Sequence, residues 1–168
     1  MTRRTLLLTA VSLLACAASW THAHEGHDPP DPVNAAPPKV LLLGDSNSMG
    51  YTPMVQEMLQ GEAEVVRPDE NCGPTTRGLE RLEAWLGDET WEVIHFNFGL
   101  HDLKHVDTDG KMASPSDGAI QVPLDQYERN LDQIVQRLQE TGAKLIWCST
   151  TPVPEGAFGR IADDAVPY

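Results

Sequence analysis

The residue best suited to chemistry is Ser46. It stands in Gly44-Asp45-Ser46-Asn47-Ser48, directly after the apolar run Val40-Leu41-Leu42-Leu43. A strand over 39–43, a glycine break, a polar turn and a helix-compatible stretch over 49–59 follow one another. That geometry lifts a serine hydroxyl out of the carboxyl end of a sheet, where ligands of open α/β sheets bind. The chemistry would be nucleophilic attack by the hydroxyl oxygen. The same residues also suit a structural task, because Asp45 and Ser46 are good helix caps. On this stretch alone both readings stand.

The elements that must position such a serine repeat along the chain. Residues 63–67 read as a second strand, ending in Asn71-Cys72-Gly73-Pro74. Residues 76–86 read as an amphipathic helix, with Leu79, Leu82 and Leu86 at helical spacing and Gly87 as its stop. Residues 91–98 form an apolar third strand, ending in Gly99-Leu100-His101-Asp102. A long loop over 99–123 comes next, of a length often used for function. Residues 124–141 give the clearest helix, with Leu131, Ile134, Val135 and Leu138 on one face and Gly142 at its end. Residues 143–148 read as a fourth strand. Alternating strands and helices predict a parallel sheet with helices on both faces. In such a sheet the carboxyl ends share one edge, so the loops at Ser46, Gly73 and His101 converge.

These three blocks, in order and each after a strand, resemble the SGNH or GDSL hydrolases over about 39–154. Gly44-Asp45-Ser46 resembles the first block, with Asn47 where leucine is common. Asn71-Cys72-Gly73-Pro74 resembles the second, and Gly99-Leu100-His101-Asp102 the third, with His101 in place of the usual asparagine. The resemblance implies a flavodoxin-like sheet in the order 2-1-3-4, with a fifth strand missing. It implies an ester hydrolase with Ser46 as nucleophile, acting without metal or cofactor. The amides of Ser46 and Gly73 and the ring N–H of a neutral His101 would form the oxyanion hole. Asp45, Asn47 and Asp102 would support it. Asp102 could orient a histidine or cap the turn after its strand, and both readings stay open.

The family's base is a histidine in a late Asp-x-x-His block, and the residues after Cys148 contain none. The expectation is therefore a C-terminally incomplete domain, a weak esterase with 145–148 as an exposed apolar edge prone to pairing. The rival expectation makes His101 or His105 the base; otherwise His105 is a solvated loop histidine. A different class of reading is an inactive module of the same fold that binds without turnover.

The rest of the chain supports export. Arg3 and Arg4 precede an apolar stretch over 6–18 that is too short to span a bilayer, so residues 1–23 read as a secretory signal. Thr2-Arg3-Arg4-Thr5-Leu6 also resembles a twin-arginine signal. Leu13-Leu14-Ala15-Cys16 resembles a lipoprotein box, which would anchor the chain at Cys16. Residues 24–38 form a His/Pro-rich linker, and 39–168 form the domain. His22, His24 and His27 offer an alternative function as an exported metal binder. The net charge is −13, or −15 without Arg3 and Arg4, which argues against nucleic acid or anionic membranes as partners. The expected partner is a small-molecule or carbohydrate ester. Cys72 and Cys148 are expected as free thiols on non-adjacent strands. Asp69-Glu70 reads as a solvated loop, and Trp85, Trp91 and Trp147 as core. Asp107 and Asp109 lack the glutamate of a calcium loop, so no metal site is expected.

Overall fold

The computed structural model describes residues 36–168, which form one compact unit. The signal, Cys16 and the N-terminal histidines lie outside the described residues. Strand β1 spans Lys39–Leu43 and is followed by helix α1, Ser46–Met58. Strand β2, Glu64–Val66, leads to α2, Thr75–Leu86. Strand β3, Val93–Phe96, leads through a short hairpin to α3, Leu124–Gln139, and β6, Lys144–Trp147. The hairpin strands are β4, His105–Val106, and β5, Ala119–Ile120. The main sheet has the order β2-β1-β3-β6, and every pairing in it is parallel. The parallel pairing is that expected from the strand–helix alternation, and the order is the one the resemblance implies.

Side-chain alternation divides the faces. Ile94 and Phe96 point to the face where Leu82, Trp85, Ile134 and Leu138 of α2 and α3 close the core. His95 points the other way and meets the ring of Tyr51 from α1 edge-on. Helix α1 sits on the sheet through buried Ser48 and Thr52, not through an apolar stripe. Their hydroxyls are satisfied locally: Ser48 donates to the Asp45 carbonyl and Thr52 to the Ser48 carbonyl. Met54 and Met58 on its outer side are exposed.

Several expectations need correction. Helix α1 starts at Ser46, earlier than position 49, because Asp45 caps it. The loop over 99–123 contains the β4–β5 hairpin. His105 is no solvated histidine: it is buried in β4, with its N–H donating to the Gly159 carbonyl. Trp85 and Trp91 are core, but Trp147 is 39% exposed because β6 is paired on one side only. Ile146, 48% exposed, shares that open edge. Leu79 also faces solvent.

Glu70 is likewise more than a solvated loop residue. Its carboxylate accepts the Trp85 indole N–H at 2.7 Å, the Arg81 Nε–H at 3.1 Å and an Arg77 guanidinium N–H. These donors, Trp85 foremost, hold its pKa down to about 2. A carboxylate whose folded pKa is depressed stabilises above its unfolded value and loses that contribution as pH falls toward the folded one. Wild-type unfolding should therefore lose stability between about 4.5 and about 2 through this group. Glu70→Gln should flatten that part of an acid titration followed by circular dichroism; superimposable curves would discount the cluster.

Candidate active site

Ser46 is the first residue of α1 and its side chain is exposed at the carboxyl end of β1, one of the sheet's two interior strands. Buried Asp45 fixes the turn, its Oδ1 accepting the Asn47 N–H at 2.8 Å. So Asp45 does cap the helix, and in doing so it presents Ser46 to solvent. The Ser46 amide lies in the first turn, where amides lack intrahelical acceptors and the helix dipole favours negative charge.

The second block is tied to the first, since the Cys72 N–H donates to the Gly44 carbonyl at 3.2 Å. Gly73 adopts φ +65°, a left-handed conformation that favours glycine. Its N–H does not point into free space: it donates to Asn71 Oδ1 at 2.9 Å. The amide expected in the oxyanion hole is thus engaged by its own turn.

The third block enters through His101 and Asp102. His101 is half-buried, and burial, then Lys104, lower its pKa, while Asp45 acts in the opposite direction and Arg160 in the same one. The ring is therefore neutral at pH 7 and keeps one N–H to donate. Arg160 is anchored beside it, its Nε–H donating to the Leu100 carbonyl at 2.9 Å. Neither Arg160 nor the position of Thr75 was flagged by the sequence, because both act through partners far along the chain.

Asp102 resolves its open readings in a third way. It is fully buried, and its Oδ1 accepts the Thr75 N–H at 2.8 Å and the Thr75 hydroxyl at 2.5 Å. It therefore caps α2 from another loop, with Asn130 Nδ2 donating to the same hydroxyl at 3.0 Å. Its short hydrogen bonds go to Thr75, not to a histidine. Burial raises its pKa against these donors. Asp102→Ala leaves two buried donors of Thr75 without that acceptor, a cost of about 3 kcal/mol. Asp102→Asn keeps an acceptor oxygen and should cost less. The sign of the pH effect is opposite to that of Glu70. A raised folded pKa makes the native state bind more protons, so stability falls as pH rises from about 3.8 through the folded value. Denaturant titrations of both variants should show that order and, for Asp102→Asn, the loss of that slope.

Two clefts lie near these blocks. One of about 340 Å³ runs along the β2 edge past Arg67, Glu70, Arg81 and Trp85, and its Glu70 and Arg81 already pair with each other. The other, about 160 Å³, adjoins the Ser46 turn and is lined by Asn47, Tyr51, His95, Asn97, Cys148 and Thr151, among others. Asn47 Nδ2 donates to Thr151 Oγ1 across its rim at 3.4 Å. The smaller cleft is the one beside the serine. Among the described residues no cluster of side chains could hold a metal ion, and no helix is long and apolar enough to cross a membrane.

A parallel sheet in this order, with a serine opening the helix after the interior strand β1, defines a flavodoxin-like α/β fold. It is the fold of the SGNH/GDSL hydrolases. An acetyl xylan esterase matches with a TM-score of 0.59 at 18% identity, over 76% of this chain and 66% of that one. A lipase/acylhydrolase from Enterococcus faecalis matches with a TM-score of 0.58 at 19% identity, over 77% and 66%. A GDSL-like lipase from Bacteroides thetaiotaomicron matches with a TM-score of 0.55 at 15% identity, over 79% and 61%. At such identities the likeness is one of fold. The chain spans under two thirds of the length of these solved structures. No family model and no curated protein matches the sequence.

Proposed function

We propose that this chain carries an ester-hydrolysing site with Ser46 as nucleophile. The observation that carries the reading is an exposed serine at the first position of α1, on the sheet edge where the β2 and β3 loops also end. Its Oγ attacks the acyl carbon, the carbonyl oxygen becomes an oxyanion, and the alcohol leaves with a proton. Water then hydrolyses the acyl-serine. The Ser46 amide at the helix N-terminus and the neutral His101 ring are the donors for the oxyanion. Gly73 joins them when its N–H is released from Asn71. Asp45 and Asn47 hold the serine turn, and Asp102 holds the start of α2.

A base must accept the serine proton. Of the described histidines, His105 is buried in the hairpin and His95 faces Cys148. His101 remains, but one neutral ring cannot donate to the oxyanion and accept the serine proton through the same nitrogen. Substrates of the proposed reaction are small acyl esters or carbohydrate O-acetyl groups, met after export. A second reading, ester binding without turnover, draws on the engaged Gly73 amide. Hydrolysis of p-nitrophenyl acetate by the full chain, with Ser46→Ala alongside, separates the two. Turnover lost on substitution supports the hydrolase; ester binding with no turnover in either protein selects the second reading.

A further inference from the structure

We infer that Cys148 and His95 form a second nucleophilic centre, which takes a small carbon electrophile as a covalent thioether. The pair is independent of the Ser46 reading. Cys148 follows β6 and His95 lies in β3, and the parallel register sets His95 against Ile146 and Phe96 against Trp147. By alternation Cys148 falls on the same face as Ile146 and His95. There the His95 Nε2 lies 3.0 Å from the Cys148 sulfur. Nucleophile and base are thus within hydrogen-bond reach, the arrangement that activates a thiol.

The surroundings hold both members. Tyr51 of α1 meets the His95 ring edge-on, with centroids 6.4 Å apart. Asn97 Nδ2 donates to the carbonyls of Cys148 and Ser149, each at 2.8 Å, and so pins the backbone that carries the thiol. The pair opens onto the 160 Å³ cleft, which has room for a small group. Burial lowers the His95 pKa, so the ring is a free base at neutral pH. As the sulfur attacks an α-halo amide, a C–S bond forms and the C–halogen bond breaks. The halide leaves with the electron pair, and the thiol proton passes to His95 Nε2 and then to water.

Cys72 is the internal reference. It is fully buried, and burial pushes its thiol up to about 11. The test treats the full chain with iodoacetamide at neutral pH and follows each cysteine peptide by mass spectrometry. Cys148 should be alkylated about tenfold faster than glutathione under the same conditions, and Cys72 far more slowly than either. His95→Gln should lower the Cys148 rate about tenfold without moving the unfolding midpoint by more than a few degrees. A Cys148 rate at or below that of glutathione overturns the inference, even should His95→Gln fail to fold. So does a fast Cys148 whose rate ignores the substitution.

Discussion

Ser46→Ala is expected to bring hydrolysis of an activated acetate ester down to the buffer rate, removing all the turnover the chain supports. The substitution removes the atom that forms the acyl intermediate, so no neighbouring group can substitute for it. Its structural effect should be small. Ser46 is exposed, its side chain accepts no bond that holds the turn, and Asp45 supplies the cap. Surface changes of that kind stay within about 0.5 kcal/mol. Activity and stability should therefore part company in this variant, which a merely structural serine would not allow. His101→Ala should cost less, since one oxyanion donor is worth about 2.7–4 kcal/mol of barrier, and Gly73→Ala, which keeps its N–H, should act only through strain at φ +65°. Parallel measurement of turnover and melting on the three variants gives the order. Turnover surviving in Ser46→Ala would remove the nucleophile assignment.

Gly99→Ala is expected to be the most damaging single methyl in the domain. Gly99 sits at φ +133°, where side chains are strained, and a Cβ built there would overlap the Thr150 hydroxyl. That hydroxyl is buried, within 2.9 Å of the Phe98 carbonyl and 3.0 Å of the Tyr168 carbonyl. Backbone strain of about 1–2 kcal/mol adds to about 1–3 kcal/mol of overpacking. The total is a large part of the roughly 5–15 kcal/mol that keeps a domain folded. Thermal unfolding should show a midpoint lowered by about 8 °C or more. A variant melting within a degree or two of wild type would mean that Thr150 moves aside freely.

Much of this was legible in the chain. The parallel sheet followed from strands and helices alternating, its order from the resemblance of the three blocks, and the exposed place of Ser46 from a glycine and a polar turn after an apolar strand. What stayed hidden depended on partners distant in sequence. Asp102 caps α2 through Thr75, a contact between two loops that no local pattern announces. Strands β4 and β5 are two residues each, and β4 adds only a single bridge from Val106 to Met112, too short for a period to show. Trp147 looked like core because Leu145-Ile146-Trp147 is apolar, yet burial depends on neighbours, and β6 has one. Two features were within reach. Asn71 two residues before Gly73 is the spacing of an Asx turn, which takes up the Gly73 amide. Strand alternation likewise puts His95 and Asn97 on the face opposite Ile94 and Phe96.

The arrangement of the sheet bears on how the domain is made. Strand β1 is flanked by β2 and β3, and β3 must find β6 on the far side of the hairpin and α3. No two neighbouring strands are joined by a tight turn, so each ladder requires closing a long loop before its bonds repay the lost chain entropy. Local helices can form at once; the sheet cannot. Leu41, Leu42 and Leu43, the most deeply buried stretch of the finished molecule, therefore wait unpaired while both neighbouring strands are synthesised. The segment that presents Ser46 is therefore an apolar strand that must stay free of wrong partners until its two neighbours arrive.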